Sequence, residues 1–63
     1  MTKYTIRHGG TNQVIHLHPF TEKDWAISWA ELDDDSNRRM GRPRHHYLLV
    51  ENDKIIDVLD WRK

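Results

Sequence analysis

Residues 46–61 read HYLLVENDKIIDVLDW, and the pair Asn52-Asp53 at their centre decides the fold. Asn and Asp tolerate the positive φ angles of a tight two-residue hairpin, so the flanking segments are predicted to fold back on each other as strands. If this turn sets the register, Glu51 meets Lys54, Val50 meets Ile55, Leu49 meets Ile56, Leu48 meets Asp57 and Tyr47 meets Val58. One face of the hairpin then carries Tyr47, Leu49, Ile56 and Val58. The other carries Leu48, Val50, Ile55 and Leu59, with Trp61 beyond. Both faces are apolar, and one helix covers only one face of such a sheet, so the second needs another cover. The candidates are the N-terminal segment, the residues 33–44, a second copy of the chain or a different protein.

Working outward, Lys3 to His8 alternates Tyr4, Ile6 and His8 with polar residues. Gly9-Gly10 interrupts the run, and Gln13 to His18 resumes an extended pattern with Ile15 and Leu17 on one face. This predicts a first hairpin. Thr21 is then a suitable N-cap with Asp24 in the reciprocal position, and Phe20 and Trp25 occupy the sites of a hydrophobic staple. Trp25, Ser28, Trp29 and Leu32 follow at helical spacing as a stripe for the sheet, flanked by Ala26 and Ala30. Ile27 falls on the opposite side, between Lys23 and Glu31. The expected architecture is α+β: a single domain over 1–63, ordered β-β-α-β-β, with a four-stranded antiparallel sheet and one amphipathic helix on one face.

Sixty-three residues leave room for one domain, and the absence of Cys excludes a disulfide framework and a thiolate metal site. No apolar run reaches the roughly 18 residues of a membrane-spanning helix, and the first residues lack the build of a signal peptide, so a cytoplasmic protein is expected. The chain has no Gly-rich phosphate loop and no nucleophile elbow. Ser28 and Ser36 have no adjacent base, and Asp33, Asp34 and Asp35 diverge in direction as consecutive residues. A one-helix domain also rarely encloses a substrate pocket. No catalytic residue, cofactor or small-molecule substrate is therefore expected. His16 and His18 project from one face and His8, His45 and His46 could approach them, but without an identifiable third ligand no metal site is assigned. Five histidines do suggest sensitivity to pH near neutrality.

The net charge is zero, yet the charges are segregated. Glu22, Asp24, Glu31, Asp33, Asp34 and Asp35 precede a basic cluster of Arg38, Arg39, Arg42 and Arg44. Gly41-Arg42-Pro43, followed by Arg44, resembles the centre of an AT-hook, with Met40 standing where that motif carries arginine. The resemblance implies that Arg42 would enter the minor groove of A·T-rich DNA while Arg38, Arg39 and Arg44 met phosphates. The residues by themselves point first to a non-enzymatic modulator or inhibitor that occupies a surface of a larger protein or self-associates. Its apolar centre would be Leu48, Val50, Ile55 and Trp61, and Asp34, Asp35, Arg38 and Arg39 would form a charged rim. A nucleic-acid-binding module is the alternative. The short length and generic plan suggest, with no motif behind it, a regulator of the kind encoded by phages and mobile elements.

Overall fold

Strand β1 (Tyr4–His8), helix α1 (Lys23–Arg39) and strands β2 (Tyr47–Glu51) and β3 (Lys54–Leu59) follow one another in a computed structural model that describes residues 2–16 and 18–62. The strands form one antiparallel sheet in the order β1-β2-β3. The sheet therefore has three strands, not four. The returning segment after Gly9-Gly10 touches the outer edge of β1 only at isolated bridges, Arg7 with Val14 and Tyr4 with Phe20. Between these bridges the returning chain has three residues too many for a continuous ladder. Pro19 has no N–H to offer one, and the His16 ring Nδ1 donates to the His18 carbonyl at 2.6 Å, a local bond that competes with pairing. Leu17, expected beside Ile15, lies outside the described residues. The segment is held instead by aromatic packing, with His16 stacked on Phe20 at 4.3 Å and edge-on to Trp29 at 4.8 Å.

The second hairpin forms at the expected turn, with Asn52 and Asp53 at φ 48° and 70°. Asn52 also ties the turn to the start of β1, exchanging backbone and side-chain hydrogen bonds with Lys3 at 3.0 Å. The expected register holds for Glu51 with Lys54 and Val50 with Ile55 and then slips. Leu49 meets Asp57, Leu48 meets Val58 and Tyr47 meets Leu59, so Ile56 is the extra residue of a β-bulge. Val58 and Leu59 consequently exchange the faces expected of them.

The helix also presents a different face. Ala26 and Ala30 are its fully buried apolar residues, packed on Ile6, Tyr47 and Leu49, whereas Trp25 and Leu32 are 60% and 69% exposed and Ser28 is exposed. Small side chains at the contact let the helix approach the bulky sheet residues closely, which two indoles in the same place would prevent. Trp29 is half-buried over the returning segment, and Ile27, expected to point away, packs against the core. The N-cap is Glu22, without a side-chain cap bond, so neither the Thr21 cap nor the Phe20–Trp25 staple forms.

At the other end α1 continues to Arg39, and the expected loop over 33–44 shrinks to the residues after it. Asp35 accepts a hydrogen bond from Arg38 at 2.7 Å and forms an ion pair with Arg39 at 2.9 Å, one turn away on the same helix. Cations in the last turn also suit the helix dipole. Gly41, at φ 69°, ends the helix: its N–H reaches the Arg38 carbonyl at 3.4 Å, and the Arg42 N–H reaches the Asn37 carbonyl at 2.9 Å.

Below Ala30 the inward stripe turns polar. The hydroxyl of the fully buried Tyr47 donates to Asp33 Oδ2 at 2.6 Å. Asp34, 4% exposed, accepts both ends of the Arg44 fork at 3.1 and 2.7 Å, and Arg44 also donates to the Trp61 carbonyl at 2.6 Å. Burial, reinforced by Asp33, holds the Tyr47 phenol above its ordinary pKa, so it stays a donor.

Two stability measurements check this account. Gly41→Ala places a side chain in the left-handed region and is expected to cost about 1 kcal/mol, which for a domain of this size lowers the melting temperature by roughly 4–8 °C. Tyr47→Phe removes one donor from a half-exposed carboxylate and is expected to cost about 1 kcal/mol in a urea titration. An unchanged midpoint in either variant contradicts the corresponding contact.

Candidate functional site

Alternation along β1 sends Ile6 toward the helix and Thr5 and Arg7 to the other side of the sheet. The pairing places Leu48 beside Arg7 and Val50 beside Thr5 on β2, then Val58 beside Leu48 and Ile55 beside Val50 on β3. With Val14 bridged to Arg7, the face away from α1 reads Val14, Arg7, Leu48, Val58 in one row and Thr5, Val50, Ile55 in the next. None of the described elements covers it. Val14, Ile55 and Val58 are about half exposed, Leu48 is partly buried and Val50 is 1% exposed.

The bulge makes this face apolar. In the unshifted register Asp57 would lie beside Leu48 on the open side; the extra residue moves Asp57 into the row of Leu49 and brings Val58 across. The same shift brings Leu59 beside Tyr47, where it packs on the core.

Arg7 is the charged member of these rows. It makes no ion pair among the described residues, and its Nε is buried with no hydrogen-bond partner. Alternation with Ile6 could have placed Arg7 on this face from sequence. The position of Val58 could not be read, since Ile55 and Ile56 are equally fit to be the bulged residue.

The eight interface residues expected from sequence do not form one surface. Leu48, Val50 and Ile55 lie together on the open face. Trp61 lies on the helix side, 5.8 Å from the Tyr47 ring. There it lines a groove of about 600 Å³ with Leu32, Glu31, Asp34, Asp35, Arg38 and Arg44. Arg39 is exposed at the helix end. The acidic and basic residues therefore cannot rim the apolar face, because the sheet stands between them.

The four arginines expected to contact DNA, Arg42 in the groove and Arg38, Arg39 and Arg44 at phosphates, already have partners within the chain. Arg38 and Arg39 are paired with Asp35, and hydrogen bonding from Arg38 holds that carboxyl below the usual range. Arg44 is bound between Asp34 and Trp61, and Arg42 donates to the Ser36 hydroxyl at 3.0 Å. The Gly41-Arg42-Pro43 segment is the stop signal of α1.

Three imidazoles gather at the top of β1. His8 and His45 stack at 3.8 Å, and His46 packs so closely on Gly9 that a Cβ there would collide with its ring. His8 Nδ1 accepts the N–H groups of Gly10 and Thr11 at 3.0 and 3.2 Å, so it carries no proton in this turn. Among the described residues no group of three or more His, Asp or Glu is placed to hold a metal ion. Desolvation, with His45 and His46 nearby, holds His8 below its ordinary pKa of 6.5. The folded state thus favours neutral His8, so its contribution is complete above the unfolded pKa and is lost as pH falls through the folded one. The melting temperature is expected to drop from pH 7.5 to 5.5, and less steeply in His8→Asn, whose amide oxygen can replace the acceptor. Equal slopes for the two proteins would exclude His8 as the source.

No helix of the described residues is long and apolar enough to cross a membrane. No family model matches the chain, and no curated protein or solved structure is similar to it.

Proposed function

We propose that this chain is a small cytoplasmic protein-binding module that modulates a larger partner by occupying part of its surface, without chemistry of its own. The observation that carries the reading is the sheet face away from α1, where Val14, Ile55 and Val58 stay about half exposed around Leu48 and the buried Val50, and from which a bulge removes Asp57. Exposed, contiguous apolar surface is costly in water and is relieved when a partner covers it. Docking through the face suits the molecule better than strand addition at β3. The Val58 N–H on that edge is already taken by Asp57 Oδ1 at 2.8 Å, and Asp57 leaves a charge there. The nucleic-acid reading has weaker support, because Arg38, Arg39 and Arg44 are ion-paired within the chain.

Val58→Asp and Leu32→Asp both alter exposed residues, one on the open face and one on the helix, and both should leave the circular dichroism spectrum intact. In affinity capture from nuclease-treated host lysate, Val58→Asp is expected to lose the protein that wild type retains, while Leu32→Asp keeps it. Equal capture by both variants, or capture that disappears with nuclease, would overturn the reading.

A further inference from the structure

Resting on the reading of the open sheet face as a docking surface, we propose that the partner segment seated there carries a carboxylate among apolar side chains, and that Arg7 receives it. The face supplies a cation and no anion in its two rows. Arg7 stands between Val14 and Leu48, and its Nε is withdrawn from water without a protein acceptor. Every other arginine described here has an ion-paired or hydrogen-bonded partner: Arg38 and Arg39 with Asp35, Arg42 with Ser36, Arg44 with Asp34, Arg62 with Asp60. The terminal nitrogens of a guanidinium bordered by apolar side chains favour an acceptor that can take two parallel N–H bonds, and a carboxylate approaching end-on does so in the plane of the group. Covering the face removes water from the pair, which strengthens the attraction and makes an uncharged residue in that place a poor substitute.

A second copy of the chain fits less well. Face-to-face stacking would set one Arg7 against the apolar rows of the other molecule, which contain no acid. Asp60, two residues past Val58, is already bound by Arg62 at 2.8 and 2.9 Å.

The test uses immobilised synthetic peptides of strand length with Val, Ile and Leu around one Asp or Glu, beside matched sets with Asn or Gln in that position. The full chain is expected to bind the acidic set about tenfold or more tightly than the amide set. That preference should shrink as salt is raised. Arg7→Gln should abolish it, and Arg7→Lys should keep part of it. Val58→Asp should lose both sets. Equal binding of acidic and amide peptides, or no binding of the acidic set, overturns the carboxylate inference and leaves the face reading to the capture experiment. Undiminished binding by Val58→Asp overturns the face reading itself. A free chain that sediments as a dimer dissociated by Val58→Asp makes the occupant a second copy and overturns the proposal.

Discussion

The polar end of the helix contact governs how the rest of the chain is arranged. Ala26 and Ala30, with Ile27 and Trp29 beside them, hold α1 against the Ile6, Tyr47 and Leu49 core by apolar contact, which has no direction of its own. Asp33 and Asp34 supply the missing direction. One receives the Tyr47 hydroxyl from the middle of the sheet; the other receives the Arg44 fork, which also reaches the Trp61 carbonyl. Helix, central strand, the segment entering that strand and the chain after β3 are thus joined at one place. Hydrogen bonds of this kind depend on orientation, whereas apolar contact does not, so the clamp fixes the angle at which the helix crosses the sheet.

Once the helix is committed to that face, the composition of the opposite one follows from the strands alone. A chain of 63 residues with one helix has no second layer to spend. The returning segment after β1 is occupied at the sheet edge, tied down by His16, Phe20 and Trp29, and the residues after Gly41 lead directly into β2. The bulge at Ile56 then has effects on both sides. It gives the core Leu59, which packs beside Tyr47, and gives the outer face Val58 in place of Asp57. A single inserted residue therefore improves the core and makes the outside more apolar together.

Features governed by local backbone chemistry were readable from the sequence. The Asn52-Asp53 turn is one, since few residues adopt two positive φ angles in succession, and the first pairs beside it follow directly. Features governed by a balance of packing were not. The slip at Ile56 leaves no mark in the pattern, because the adjacent Ile55 and Ile56 are equally fit to be the extra residue. Trp25 and Leu32, the large apolar residues at helical spacing, stay exposed because the sheet takes the close contact that Ala26 and Ala30 provide, with Ile27 and Trp29 beside it. The acidic triplet looked like a fraying end because its partners, Tyr47 and Arg44, are 14 and 10 residues away in sequence. The alternation of Ile15 in an extended pattern predicts a fourth strand, which Pro19 and the His16–His18 bond prevent. Arg7 differs from these: alternation with Ile6 gives its face, but a single arginine in a strand does not show by itself that it has no acidic partner.

The clustered charges turn out to be the ones already satisfied. Asp34, Asp35, Arg38, Arg39 and Arg44 neutralise one another on the helix side, and a partner approaching the groove beside Trp61 would have to break an existing pair to gain a new one. Arg7 faces no such competition, because no acidic side chain of the described residues holds it. Electrostatic selectivity therefore belongs to the sheet side of the molecule, where the net charge of zero is least informative. There a lone cation in an apolar surroundings can discriminate between partners that offer the same hydrophobic area, accepting those with a carboxylate in reach and rejecting those that leave the guanidinium covered and unpaired.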